Sequence, residues 1–282
     1  MSDFSGYLIV TDLDGTFFGP HTARIERNIE AVRRFREGGG IFTIATGRYS
    51  DVVRDALPDV GELVNAPVIG CNGAQLFDFH TGQTLDERPL GPEAGPALDL
   101  ILEKYQGCGI RISCPGGFLT SRENYESSPM LIRDLSRVSE ERVTFLPRAR
   151  WEELKWYKIV VRAEAERIEL LRADLERLFP GQFSLSKSGR TYFEIQSRGT
   201  DKSVHFKFLR DYALKLTGRP AVLVAAGDYE NDVAMLKSAD IGVCPANATD
   251  EAKKAAGYCF CANTEGLMAD VVDFLEKRGN DL

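Results

Sequence analysis

Residues 7–16, Tyr7-Leu8-Ile9-Val10-Thr11-Asp12-Leu13-Asp14-Gly15-Thr16, decide how this chain is read. A short apolar run suited to a buried strand stops abruptly at a polar, glycine-containing turn that carries two carboxylates. Downstream, Thr22 is placed to cap a helix whose apolar residues Ile25, Ile29, Val32 and Phe35 fall on one stripe, and Gly38-Gly39-Gly40 ends it. Residues 41–45 then form a second buried strand closing on Thr46-Gly47-Arg48, with a helix near 50–57. Residues 67–70 form a third strand, closing on Cys71-Asn72-Gly73. This β-α-β-α-β rhythm predicts an α/β fold, a Rossmann-like parallel sheet with helices on both faces. Its polar turns all leave carboxyl ends of strands, the edge where open parallel sheets bind ligands.

The rhythm resumes late in the chain. Thr200 is read as the cap of a helix with Val204, Phe208, Tyr212 and Leu216 as its apolar face. Residues 221–226 form a strand with Gly227-Asp228 as its turn, and a helix follows over 230–237. Residues 241–244 and 258–261 are further strands, and 267–275 is a closing helix. Between them the pattern changes. Helical stripes at Leu98, Ile101, Leu102 and Tyr105 and at Ile168, Leu171, Leu175 and Leu178 mix with strands at 109–113, 156–161, 182–186 and 192–196. Breaker residues at Pro89-Leu90-Gly91-Pro92 and Ser197-Arg198-Gly199 bound this segment, so 89–197 is read as a smaller α+β domain inserted into a core made of 1–88 and 198–282.

Composition narrows the function classes. With 43% apolar, 10% aromatic and 27% charged residues over 282 positions, disorder, collagen and coiled coil are excluded. No apolar run approaches the roughly 18 residues of a spanning helix, so no membrane partner and a cytoplasmic location are expected. A net charge of -7 argues against a nucleic-acid partner. Cys71, Cys108, Cys114, Cys244, Cys259 and Cys261 are dispersed and read as small buried thiols, with no metal assigned to the Cys259/Cys261 pair. His21, His80 and His205 are read as structural or exposed.

Four segments carry reactive groups. Asp12 and Asp14 leave an extended backbone on one side, where they either share a hard divalent cation or simply cap the turn. Asp228 and Asp232 lie one helical turn apart; Asp228 either joins Asp12 on the cation with Asp232 ordering the ligands from behind, or both acids favour a helix N-terminus. Lys202 is read in the first turn of the Thr200 helix, where the dipole disfavours a cation, so it faces either a phosphoryl group or an aspartate. Gly15, Thr16, Thr46 and Gly47 supply amides and hydroxyls to such a phosphoryl group. Asn72 is read as shaping its turn, Arg48 as lying on a helix face, and Arg111, Lys187 and Arg190 as solvated. Together the set suits phosphoryl transfer, in which a carboxylate attacks phosphorus and a neighbouring acid protonates the leaving oxygen.

These residues resemble the haloacid dehalogenase superfamily of phosphohydrolases: Asp12-Leu13-Asp14-Gly15-Thr16, Thr46, Lys202 and Gly227-Asp228-Tyr229-Glu230-Asn231-Asp232 match its four motifs in order. Cys71-Asn72-Gly73-Ala74, Met235 and Asn247-Ala248 look like the Cof-type subgroup with an α/β type IIB cap. The resemblance implies Asp12 as nucleophile, Asp14 as general acid and then base, and Mg²⁺ on Asp12, the Asp14 carbonyl and Asp228. It further implies Thr46, Lys202 and Asn231 as phosphoryl-binding residues, with Asp232 ordering the site. The implied activity is hydrolysis of a small phosphomonoester, such as a sugar phosphate, under a closing cap. A phosphosugar mutase and a receiver-type signalling module are the alternatives. Ser203 after the lysine and Phe17-Phe18 after the first motif depart from the usual pattern, which bears on the phosphate loop and the entrance.

Overall fold

A computed structural model describes residues 2–279. Its first strands are β1 (Tyr7–Thr11), β2 (Ile41–Ile44), β3 (Val68–Gly70), β4 (Gln75–Asp78) and β5 (Gln83–Glu87). Next come β6 (Gly109–Cys114), β7 (Gly117–Thr120), β8 (Val143–Phe145), β9 (Lys158–Arg162), β10 (Phe183–Gly189) and β11 (Tyr192–Ser197). The chain finishes with β12 (Val222–Ala226), β13 (Ile241–Pro245) and β14 (Tyr258–Phe260).

The parallel sheet has the order β14-β13-β12-β1-β2. Every residue of β1 is buried, as a central strand covered on both faces requires. Helices Glu26–Glu37 and Leu267–Gly279 share a core with Ile9, Phe42 and Val224 on one face. Helix Phe206–Thr217 packs Phe206, Leu209 and Ala213 against Leu8, Val10 and Leu223 on the other. Register then sets the site. Thr11 sits opposite Ile44 on one side and Ala226 on the other, so Asp12, Ala45 and Gly227 emerge at one level from strands about 4.8 Å apart.

Three readings of the sequence need correction. The first helix begins at Glu26, and Thr22 closes a tight turn at Pro20–Thr22 without capping it. Thr200 caps nothing: the late helix starts at Phe206, so Lys202 sits in the preceding turn and the helix dipole does not act on it as expected. Phe208 and Leu216 point outward, 40% and 57% exposed, because this helix carries a second apolar stripe and the sheet selects the one beginning at Phe206.

The third strand is also only loosely part of the parallel sheet. β3 touches it through a single bridge between Ala45 and Ile69, then pairs antiparallel with β4, which pairs with β5. β5 is mostly exposed and polar, so it left no periodic signal.

Residues of the inserted segment form a second sheet, β10-β11-β9-β6-β7-β8, antiparallel except between β7 and β8. Ile110, Ile112, Ile159, Val161, Phe193 and Ile195 pack on its outer helices in a separate core with Leu98, Ile101, Ile168 and Leu171. The structure adds the short strands β7 and β8 and the helices Arg122–Ser127 and Pro129–Leu135. Cys71, Cys108, Cys114 and Cys244 are buried as expected, but Cys259 is exposed and Cys261 half-buried because the edge strand β14 is uncovered. No helix among the described residues is long and apolar enough to cross a membrane.

Candidate active site

Lys202 is fully buried, and its Nζ donates to Asp12 Oδ1 at 2.5 Å and to Asp232 Oδ1 at 2.6 Å. Of the two partners considered from sequence, the aspartate bridge is therefore the one this structure displays. Asp232 Oδ2 accepts from the backbone N–H groups of Asp228 at 2.9 Å and Tyr229 at 3.1 Å, which ties the turn after β12 to the lysine. Asp228 Oδ1 accepts from Thr16 Oγ1 at 2.8 Å, linking that turn to the one after β1. Carboxylate oxygens of Asp12, Asp228 and Asp232 lie within 4.8 Å of one another.

Two glycines make this approach possible. Gly15 has φ +92°, and a Cβ there would lie 2.5 Å from Asp228 Oδ2; a Cβ on Gly227 would lie 2.5 Å from the Asp232 Cβ.

Thr46 is buried at the end of β2. Its N–H donates to Ile69 O at 2.8 Å, its carbonyl accepts from Asn72 N at 2.8 Å, and its Oγ1 accepts from Arg48 N at 3.3 Å. Gly47 lies beside Asn72 Oδ1, and Asn231 Nδ2 reaches that oxygen at 3.5 Å. Asn72 adopts φ +51°, consistent with a turn-shaping role, yet its side chain also bridges to Glu194 of the second sheet.

Asp14 lies apart from the carboxylate cluster. Its side chain is about half exposed and bound by Arg48, Nε to Oδ2 and Nη2 to Oδ1, both at 2.7 Å. Only its backbone carbonyl is left for the metal role implied by the resemblance. Arg48 is thus a residue that sequence reading misplaced on a helix face; its adjacency to Thr46-Gly47 was the available signal. Arg111 is likewise mostly withdrawn from solvent, whereas Lys187 is half-buried and paired, and Arg190 is exposed as read. Arg111 binds Asp134, and Lys187 binds Glu169 and lies near Glu230. Phe17 and Phe18 are buried and pack together, with Phe17 against Phe42, so they do not line an entrance. Ser203 turns back onto Asp201. A cavity of about 620 Å³ flanks the cluster, sharing Asn72 and Asn231 with it and extending along Ser184, Ser186, Gln196 and Val233.

Electrostatics favour a cation here. Two buried carboxylates and the half-buried Asp228 face one ammonium, so burial together with the neighbouring acids pushes the Asp228 carboxyl up to about 7 and raises Asp12, against the pull of Lys202. Asp12 and Asp232 outweigh burial at Lys202 and hold its ammonium above the usual lysine range. An all-oxygen donor set with surplus negative charge fits a hard dication such as Mg²⁺. Asp12 and Asp228 are the residues placed to hold it, since Lys202 takes only Oδ1 of Asp12 and Thr16 only Oδ1 of Asp228, whereas both oxygens of Asp232 are committed, to Lys202 and to two amides.

A profile of haloacid dehalogenase-like hydrolases matches residues 9–272. The phosphoglycolate phosphatase of Methanopyrus kandleri is 28% identical over 272 residues, covering 96% of this chain and 97% of its own. The pyridoxal phosphate phosphatase YbhA of Escherichia coli is 24% identical, covering 94% and 97%. Among solved structures, a haloacid dehalogenase-like hydrolase from Bacteroides thetaiotaomicron superposes with a TM-score of 0.77 at 22% identity, covering 95% of this chain and 99% of that one. The subclass IIB sugar phosphatase BT4131 also superposes at 0.77, with 20% identity over 96% and 99% of the two chains. With the profile spanning both sheets, the chain belongs to the haloacid dehalogenase-like hydrolases.

Proposed function

We propose that the protein is a Mg²⁺-dependent phosphatase hydrolysing a small phosphomonoester, such as a sugar phosphate, through an aspartyl-phosphate. The observation that carries this reading is the convergence of Asp12, Lys202, Asp228 and Asp232 on one buried point at the strand ends. Residues 1–88 and 198–282 form the catalytic core in this reading, and 89–197 the cap that determines specificity. The small-ester phosphatases among its relatives support the substrate class.

In the proposed reaction an Asp12 carboxylate oxygen attacks phosphorus and the ester oxygen departs. Asp14 gives that oxygen a proton, which requires it to release Arg48, and then takes one from the water that cleaves the acyl phosphate. Lys202, the Thr46 hydroxyl and the amides of Gly15, Thr16 and Gly47 balance charge on the phosphoryl oxygens, with Asn231 at the rim. Mg²⁺, when bound by Asp12, the Asp14 carbonyl and Asp228, would offset the negative charge of carboxylates and phosphate together.

Release of inorganic phosphate from p-nitrophenyl phosphate and a panel of sugar phosphates, with and without Mg²⁺, tests the proposal. Metal-dependent release that vanishes in Asp12→Asn is expected. A folded protein that releases none from the whole panel, or an Asp12→Asn variant as active as wild type, overturns it.

A further inference from the structure

The second sheet turns a polar face toward the loops of the first. Residues alternate along β9, with Ile159 and Val161 in the outer core; Lys158 shares the opposite face with Val160 and Arg162. Gln196 and Glu194 of β11 are registered against Lys158 and Val160. Lys158 and Glu194 are 2% and 3% exposed, yet packing alone gives no reason to bury charges there. Their hydrogen bonds supply one. Lys158 Nζ donates to Glu194 Oε1 at 2.7 Å and crosses to the Gly47 carbonyl at 2.8 Å. Glu194 Oε2 accepts from Asn72 Nδ2 at 2.5 Å, and Gln196 Nε2 donates to the Cys71 carbonyl at 3.0 Å. A Cβ on Gly47 would lie 3.0 Å from that Nζ and 3.1 Å from Asn72 Oδ1, so glycine keeps the approach open.

We infer that Lys158 and Glu194 are positioning residues that set, from the inserted sheet, the phosphate-site loop after β2 and the loop after β3 that holds Asn231; the inference rests on the phosphatase reading above. In a trans peptide the carbonyl and the following N–H point opposite ways. Drawing the Gly47 carbonyl to Lys158 therefore turns the Arg48 N–H away from the second sheet, where it meets Thr46 Oγ1. Glu194, by taking the amide nitrogen of Asn72, leaves Oδ1 directed at Asn231. The pair thereby couples seating of the inserted sheet to the geometry of the loops after β2 and β3.

The charge-swapped double variant Lys158→Glu/Glu194→Lys separates this role from simple stability. It keeps an ion pair between β9 and β11 but offers a carboxylate to a carbonyl and an ammonium to an amide nitrogen. Three measurements are made on the full-length protein: kcat and KM with p-nitrophenyl phosphate and Mg²⁺, the Tm, and amide hydrogen exchange at residues 47–48 and 71–73. Expected are a kcat loss of roughly 10²-fold, as misplacement of about 1 Å produces, a smaller change in KM, and faster exchange at those amides. Wild-type kcat with wild-type exchange overturns the inference. Absence of activity in the wild type would instead remove the phosphatase reading, and unchanged exchange in the swap would then remove this one too. If the swap does not fold, Lys158→Arg and Lys158→Met decide. The arginine must retain at least fivefold more kcat than the methionine at matched temperature below both Tm values, and equal kcat overturns the inference.

Discussion

Arg48 grips Asp14 through two parallel hydrogen bonds of 2.7 Å, while Asp12, two residues earlier, is held by Lys202. The two acids of one turn therefore have different partners, one half-exposed and one buried. If Asp14 is the proton donor, Asp14→Asn will lower kcat by about 10²–10⁴ for an alkyl phosphomonoester. The loss in formation of the phosphoenzyme will be smaller for p-nitrophenyl phosphate, whose phenolate leaves without a proton. Rapid-quench measurement of both leaving-group rates checks this, and equal losses count against the assignment.

Arg48→Lys keeps the charge but not the fork. A lysine ammonium cannot hold both oxygens of Asp14 in the same plane. Because Asp14 must leave this fork before it gives up a proton, we expect kcat to rise, by up to about tenfold, with the Tm within a few degrees of wild type, measured by steady-state kinetics and calorimetry.

Gly15→Ala attacks the proposed metal site without removing a ligand. Its Cβ would meet Asp228 Oδ2 at 2.5 Å, in a conformation that L side chains rarely adopt. Displacing Asp228 should weaken Mg²⁺ binding roughly 10–100-fold. Isothermal titration with Mg²⁺ reads this directly, and unaltered affinity would show that Asp228 is not a ligand.

The acid cluster predicts an inverted pH response in chelator. The Asp228 carboxyl is raised to about 7 by burial and by Asp232. Its folded-state proton thus adds stability that is full below the ordinary carboxylate value and is lost as pH rises through about 7. In EDTA this group lowers the Tm between pH 5 and 8. Saturating Mg²⁺ takes the proton's place and should flatten the slope, with about 2.7 kcal/mol of stabilisation at a hundred times Kd.

Asp134 behaves oppositely. Burial would raise its carboxyl, but Arg111 and Arg162, with the Tyr192 hydroxyl, outweigh it and hold it below the usual range. Its stabilisation is present above the ordinary carboxylate value and is lost as pH falls through the lower folded value. Asp134→Asn should cost about 3 kcal/mol in urea melts at pH 7, with the difference from wild type shrinking towards acid.

Much of the architecture was legible because its causes are local. A run such as Tyr7 to Val10 must be buried on both faces, and the change to Asp12-Leu13-Asp14-Gly15 marks where it ends. Residue chemistry after β1, β2 and β12 and in the turn before the Phe206–Thr217 helix likewise named Asp12, Thr46, Lys202, Asp228 and Asp232. Periodicity could not choose between the two apolar stripes of the Phe206–Thr217 helix, because that choice belongs to the sheet surface beneath it. Nor could it show that Arg48 reaches Asp14, or that Lys158 and Glu194 meet Gly47 and Asn72. Those contacts join residues up to 122 positions apart, and buried charges take their partners from whatever the folded chain brings within reach. The sequence by itself determined which chemical groups stand at the strand ends; the tertiary structure alone decided which of them share a proton, an ion pair or a carbonyl.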